Sequence, residues 1–501
     1  MATKTVLREC AKINASDRKQ TVLFMPSSAT SWSRMRPQLL MLHSTASFEP
    51  YVLFATSAVL EFTEECRQLG VPHRVLGPVD RHDRDHFPKL MRCVSKVLGD
   101  GDIARHVSRF FECDRISSSL PVGLLRSLAV RKRLRAEYRL MMDLIAELRS
   151  AAIFVQGDRE LGPIPSIIKA GKDQGVPIVI AAPGIPSQTA MGSVRRGQPR
   201  FLTKLREFAP VLNIVAARKL PGQVAETPHG RTLFSPGWLT LTMHKEGMLS
   251  ANPWCQGGGN SDLVLLDGAR KARKFIAQGV PKNKLRIIGD LDMDPLFRAL
   301  QNRTALRREL IESNSLDPDK PLYIYAVPSY AEQDVMSMET HLGAIEEILK
   351  QLEHAQANVV LSLHPKSSPD LYRPLAERHG MVILERRLFE ILPAADLFLC
   401  GGSTTMEWAV LCEVPTIDID YAGICDTELD EFRGVVHTTE IADVSNLISR
   451  FETDTEWRKE LARDLAVQKN DIAMFDGLAA ERFVGLVKEL SEMSKYDAVR
   501  T

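Results

Sequence analysis

Short, wholly apolar runs alternate along this chain with longer stretches in which apolar positions recur every three or four residues. Thr21-Val-Leu-Phe-Met25 is the first of the short runs. A run of that kind bounded by polar residues predicts a strand buried on both faces. A helix is predicted over 36–43, a strand over 51–56, a helix over 60–69 and a strand over 72–76. Parallel neighbours need a crossover between them, so this β-α-β-α-β order predicts a parallel, doubly wound sheet. The strand signal is lost from 80 to 149, a helical insert in which 124–148 alternates basic positions (Arg131, Lys132, Arg133, Arg135, Arg139) with apolar ones. Strands are predicted again within 151–160 and 176–183, around a helix over 164–174.

Beyond that point, 238–243 reads as a strand and 256–261 (Gln-Gly-Gly-Gly-Asn-Ser) as a flexible connection. Strands over 262–267 and 284–290 flank a helix over 269–278, and a helical bridge over 296–312 follows. A second half then repeats the rhythm, with strands over 321–328, 358–367 and 381–384, a further apolar run over 388–392, and helices over 339–354 and 371–377. The tail from 441 to 493 is predicted helical. The expected domains are therefore 1–295, carrying the insert at about 80–149, and 296–501.

The most informative stretch runs from Asp396 to Asp420. It predicts a buried strand over 397–399, a Gly401-Gly402 turn, a helix opening at Ser403 and a second strand after Pro415. Ser403 or Thr404 can cap that helix, with Glu407 in its first turn. Unpaired N–H groups and partial positive charge at a helix start attract phosphate, and two glycines let it approach the backbone. The same string also fits an ordinary strand-to-helix turn with a capping box. Two other strand ends carry candidate chemistry. The loop 26–33 is either a ligand loop or a helix start capped by serines. Asp158, after a glycine at a strand's carboxyl end, is a candidate general base or hydroxyl ligand, with helix capping as the alternative.

Composition narrows the class. With 501 residues, 44% hydrophobic and 25% charged, the chain has the make-up of an ordinary globular protein of two or more domains. A formal net charge of +1 argues against nucleic acid as a partner. The eight cysteines are scattered without a C-x-x-C pair, which predicts reduced thiols and neither a disulfide frame nor a metal site. The charge run 81–86 reads as a solvated face. No apolar leader opens the chain and no run reaches the length of a membrane span, so a cytoplasmic location is expected. The basic positions of 131–139 leave open contact with an anionic acceptor or a lipid headgroup.

Several segments, in this order, resemble a known superfamily. They are Val155-Gln-Gly-Asp158 with Gly175-Val-Pro177; Leu285-Arg-Ile-Ile-Gly-Asp290 with Asp294; Leu363-His-Pro-Lys366; Leu392-Pro-Ala-Ala-Asp-Leu397; and Gly401-Gly-Ser-Thr-Thr405 with Glu407 and Pro415. The set is similar to the two-Rossmann (GT-B type) glycosyltransferases and UDP-N-acetylglucosamine 2-epimerases, a superfamily that includes CDP-glycerol polymerases and bacterial sialyl- and polysialyltransferases. The resemblance covers roughly 150–490. It implies an α/β fold of two doubly wound Rossmann-like domains facing a cleft, with the donor nucleotide held by the second. By resemblance, His364 and Pro365 lie beside the nucleotide, and Ser403, Thr404 and Thr405 hold donor phosphate. Glu407 is the resemblance's candidate ligand of ribose hydroxyls. Lys366 can neutralise phosphate without a metal, and no cofactor is expected.

The His-Pro and Ser-Thr pair looks like that of sialyltransferases using CMP-linked nine-carbon sugars, with Asp158 as the acidic base. The tight acidic signature of that base is only approximated by Gly157-Asp158-Arg159-Glu160. The resulting expectation is a metal-independent glycosyltransferase using a nucleotide-activated sugar, with a CMP-linked nonulosonic acid as the candidate donor and a glycan or glycoprotein acceptor, in surface polysaccharide or glycoprotein biosynthesis. A 2-epimerase or hydrolase of the same fold, or a non-catalytic nucleotide-sugar-binding subunit, is the alternative. The loop 181–188 contains no carboxylate, where such epimerases usually place a glutamate, and this argues against epimerisation.

Overall fold

The computed structural model describes residues 19–54, 57–76, 120–159, 162–181, 191–192, 195–196, 198–204, 210–227, 230–423 and 432–498. It divides the chain into two compact units. The first comprises 1–266, 271–287 and 481–501, and the second 267–270 and 288–480. The border thus falls a few residues earlier than expected. The end of the helical tail goes with the first unit, where Phe483 packs edge-on against Phe154 with ring centroids 5.6 Å apart.

In the first unit the strands are β1 (Gln20–Met25), β2 (Phe48–Phe54), β3 (His73–Val75), β4 (Ala152–Val155), β5 (Ile178–Ile180), a hairpin of β6 (Val224–Thr227) and β7 (Gly230–Leu233), β8 (Leu263–Leu266) and β9 (Leu285–Ile287). Apart from the hairpin they form one sheet in the order β3-β2-β1-β4-β5-β8-β9. Every pairing in it is parallel. Val22, Leu23 and Phe24 are completely buried, as are Ile153, Phe154 and Val155 beside them. Helices covering both faces explain why these strands are apolar throughout and do not alternate. The chain winds outward from β1 to β3, then returns to β4 and proceeds the other way. The order therefore reverses between β1 and β4.

The second unit repeats the plan. Its strands are β10 (Leu322–Val327), β11 (Asn358–Leu363), β12 (Val382–Leu384), β13 (Leu397–Cys400), β14 (Thr416–Ile419) and β15 (Val435–Thr438). They form a parallel sheet in the order β12-β11-β10-β13-β14-β15, reversing between β10 and β13. Two parallel-sheet α/β domains of the same winding are the expected fold class. In such sheets ligands bind beyond the carboxyl ends of the strands, at the point where the order reverses.

Several local expectations are corrected. Residues 238–243 lie in a helix, Gly237–Lys245, in place of a strand. Six residues cannot separate the two periods, and packing of Trp238 and Met243 against Val130 and Leu134 decided for the helix. The run 388–392 is likewise helical over Leu388–Ile391. The helix placed at 36–43 starts at Ala29, because Ser28 accepts the Ser31 amide in a capping box. The serine loop after β1 is thus in part a helix start.

Of the insert, 80–119 lies outside the described residues, as does the charge run 81–86. The rest is one 29-residue helix, Leu120–Leu148, whose inner face buries Val130, Leu134, Met141, Leu144 and Ile145. Its basic positions are largely engaged within the protein. Arg131 and Arg135 both reach Glu246, at 2.5 and 2.7 Å, and Arg133 lies 3.5 Å from Glu137. Among the described residues no helix is long and apolar enough to cross a membrane. Cys66, Cys255, Cys400 and Cys412 are buried thiols that form no disulfide.

Candidate functional site

The carboxyl edge of the second sheet gathers most of the residues singled out from the sequence. β13 ends at Cys400, and Gly401 and Gly402 turn the chain. Gly401 leaves little room for a side chain. A Cβ there would meet the Tyr330 hydroxyl at 3.0 Å, the Ile419 carbonyl at 3.1 Å and Pro328 at 3.3 Å. Gly402 adopts φ +53°, a left-handed conformation that glycine takes without strain. Its N–H donates to Oδ1 of Asp418 at 2.7 Å, and the other oxygen of that buried carboxylate lies 3.0 Å from His437 Nδ1.

The helix expected at Ser403 begins three residues later, at Met406, and is only six residues long. Neither Ser403 nor Thr404 caps it. The Ser403 hydroxyl instead accepts from the Thr405 amide at 3.2 Å and the Thr405 hydroxyl at 2.9 Å. The residues 403–405 thus form a self-bonded polar turn, and a short helix adds little dipole behind it. Glu407, the candidate ribose ligand, pairs with Arg270 at 3.2 Å, and that guanidinium lies 4.5 Å over the Phe432 ring.

His364 directly follows β11, at the strand tip, with Pro365 and Lys366 exposed beyond it. Its Nδ1 accepts the Lys366 backbone N–H at 3.1 Å. In the neutral ring the remaining proton therefore sits on Nε2, as a donor. Burial, reinforced by the positive charge of Lys366, holds the His364 pKa below the ordinary imidazole value. A neutral ring with an Nε2–H donor is the resting form.

Behind His364 lies a buried polar chain that sequence reasoning missed. The Tyr372 hydroxyl donates to Oε1 of Glu332 at 2.9 Å, and His341 Nε2 lies 3.0 Å from the same hydroxyl. His341 Nδ1 faces the Tyr421 hydroxyl at 3.0 Å. His341 and Tyr372 are fully buried. Burial opposes ionisation of Glu332, but the hydroxyls of Ser367 and Tyr372, with its own backbone, outweigh it and hold its pKa below the ordinary carboxylate value. Burial likewise lowers the His341 pKa. His341 lies among the buried apolar residues of the helix Met338–Leu352, and nothing local in the sequence separates it from core packing. A second missed residue left a clearer signal: Asp418 stands between two isoleucines in the buried strand Thr416–Ile419.

Asp158 needs the largest correction. It was expected to face an open cleft, yet it is 7% exposed. Its carboxylate accepts the amides of Gly257 (2.9 Å), Gly259 (2.9 Å) and Ser261 (3.3 Å) and the Ser261 hydroxyl (2.8 Å). The stretch 256–261 is accordingly no flexible connection but a turn wrapped around a carboxylate. Both oxygens are occupied as acceptors, which suits an anchor and not a base. Glu160 lies outside the described residues, as do 182–188 of the loop invoked against epimerisation. Asp294, from the resemblance motifs, also has a structural task, accepting the amides of Ala479 and Ala480 at 3.1 and 2.9 Å. Among the described residues no group of three His, Cys, Asp or Glu is arranged to hold a metal ion.

No protein-family model matches the sequence, and no curated protein matches it. Solved structures do. The chain is similar to a UDP-GlcNAc 2-epimerase from Neisseria meningitidis bound to UDP-GlcNAc, at 11% identity and TM-score 0.48, over 94% of this chain and 100% of that one. It is similar to a putative UDP-N-acetylglucosamine 2-epimerase from Listeria monocytogenes, at 14% identity and TM-score 0.46, over 95% and 97%. A glycosyltransferase from Rickettsia africae aligns over 94% and 99% at 9% identity and TM-score 0.47.

Proposed function

We propose that the protein is a metal-independent glycosyltransferase that binds its nucleotide-sugar donor at the carboxyl edge of the second sheet. The observation that carries this reading is the state of His364. With Nδ1 taken by the Lys366 amide, the ring offers an Nε2–H at a strand tip, where a donor phosphate oxygen accepts it. Lys366 supplies positive charge on the same loop. The Gly401-Gly402 turn follows β13, across the reversal from β10, and presents the Ser403 and Thr404 hydroxyls. Together these groups stabilise the charge that grows on the leaving nucleotide as the glycosidic bond breaks. A CMP-linked nonulosonic acid is the favoured donor, on the strength of the His-Pro and Ser-Thr pair, with a glycan or glycoprotein acceptor.

Asp158 is not the base in this reading, because its oxygens hold the 257–261 turn. That observation favours one alternative, a nucleotide-sugar-binding subunit without catalysis. Calorimetric titration with CMP, CDP and UDP, on the native protein and on His364→Ala, tests the reading. The expected result is one preferred nucleotide whose affinity falls at least about tenfold in the variant, the loss of a charge-assisted hydrogen bond. Unchanged affinity in a folded His364→Ala protein sinks the assignment. Binding without transfer to any supplied acceptor selects the silent subunit.

A further inference from the structure

The turn that carries His364 is closed from within. Ser367 donates its N–H to the His364 carbonyl at 2.8 Å, and Lys366 donates its own to His364 Nδ1 at 3.1 Å. Ser367 is buried, and the helix that follows, Pro369–Arg378, carries Tyr372. The loop after β10 brings Glu332 to the same place. That loop is folded on itself, the Gln333 amide donating to the Ser329 carbonyl at 3.1 Å and the Val335 amide to the Tyr330 carbonyl at 2.9 Å. Glu332 Oε1 accepts the Tyr372 hydroxyl at 2.9 Å. The Ser367 hydroxyl lies close enough to act on both members of this pair. Its oxygen and Glu332 Oε2 are both buried, and neither has a full hydrogen bond among the described residues. Glu332 thus stands between the loop after β10 and the His364 turn, with one oxygen fixed by Tyr372.

The far end of the same chain reaches the glycine turn. Past Tyr372 come His341 and then Tyr421. Tyr330 packs on both, its ring centroid 5.2 Å from that of Tyr421 and 6.2 Å from that of His341. The Tyr330 hydroxyl is also the atom nearest to where a Cβ on Gly401 would stand. One buried cluster therefore backs both candidate donor loops. Charge adds a second observation. Burial is the largest influence on the His364 ring and disfavours its charged form; Lys366 disfavours it further, and Glu332 opposes both. Lys366 is exposed on a flexible stem, where water and salt screen it. Glu332 is half-buried and tied to Tyr372, so its charge keeps a fixed place relative to the ring.

We infer that Glu332 is a positioning residue for His364, holding the 364–367 turn through Tyr372 and Ser367 in the form that presents the Nε2–H, with its negative charge behind the ring. A carboxylate near an imidazole favours the charged form and so strengthens the ring as a donor to an anion. The link runs through the turn and not through a direct bond to the ring, because Nδ1 is taken by the Lys366 amide. Glu332 acts through His364 and is assigned no contact with the donor. The inference rests on the proposed reading of His364 as a ligand of donor phosphate.

The test takes two readouts on Glu332→Gln, which keeps the shape and the acceptor for Tyr372 and removes the charge. The first is the His364 pKa, followed by proton–carbon nuclear magnetic resonance of the imidazole signals without nucleotide, with His364→Ala identifying the signal. The second is calorimetric titration with whichever of CMP, CDP and UDP the native protein binds best. The His364 pKa is expected to fall, because the charge that favours the imidazolium is gone, and nucleotide affinity to fall at least about threefold. Native affinity in the folded variant overturns the inference. So does an unmoved His364 titration, which with reduced affinity would mark a merely structural role. Ser367→Ala serves should Glu332→Gln not fold. It unties the turn and keeps the charge, so affinity should again fall, and native affinity overturns the inference. The two readings fail separately. Nucleotide binding that depends on His364 but not on Glu332 sinks this inference alone, whereas binding indifferent to His364→Ala sinks the donor assignment and this inference with it.

Discussion

His341 and Tyr372 face each other fully buried, with Nε2 3.0 Å from the phenol oxygen, and the phenol O–H donates to Glu332 at 2.9 Å. The order of donors follows from the carboxylate. Ionised Glu332 only accepts, so Tyr372 donates to it, and His341 donates to Tyr372. This chain runs behind the loop that carries His364 and Ser367.

Tyr372→Phe breaks the chain in its middle. It leaves a buried imidazole donor and a carboxylate oxygen without partners, which costs about 1–3 kcal/mol of folding stability. Urea denaturation should show a lower midpoint at unchanged slope. A variant as stable as the native protein would mean that the groups find other partners.

Stability should also depend on pH through His341 and His364. Both have pKa values held below the ordinary imidazole value by burial. The unfolded chain therefore binds protons first as pH falls. The contribution is complete above about pH 6.5, the unfolded value, and is lost as pH falls from there. Melting temperature should drop from pH 7 to 5, with a shallower slope in His341→Gln. A flat profile in the native protein contradicts the burial of these rings.

Asp158→Asn swaps one acceptor oxygen for an N–H donor facing other donors. Destabilisation of about 1–3 kcal/mol is expected, with faster amide exchange at Gly257, Gly259 and Ser261. Nucleotide affinity should be unchanged, since these contacts lie within the first unit. A fully stable variant with turnover reduced about 10²-fold or more would restore Asp158 as a general base.

At the glycine turn two substitutions separate shape from chemistry. Gly401→Ala brings a Cβ to 3.0 Å from the Tyr330 hydroxyl and 3.1 Å from the Ile419 carbonyl, which must give by a few tenths of an ångström, so a modestly lower melting temperature is expected. Ser403→Ala removes the acceptor of both Thr405 bonds without adding bulk. Calorimetry should show nucleotide affinity weakened by about 1–3 kcal/mol in the latter, with thermal stability little changed. Equal affinity in native protein and variant removes the turn from the donor site.

The winding of both sheets could be read from the chain, because a strand buried on two faces must be apolar throughout and its crossover must carry a helical period. Runs such as 21–25, 321–328 and 397–399 have one reading each, and the glycine pair after β13 marks a turn wherever it occurs. Residues 238–243 show where that logic stops: six apolar and polar positions fit either period, and contacts with a distant helix decide. Asp158 shows the deeper limit. A carboxylate at a strand end has the same sequence signature whether it faces solvent or three amides a hundred residues later. Periodicity is local and belongs to the sequence, whereas the partner of a charge is set by long-range packing and exists only in the fold.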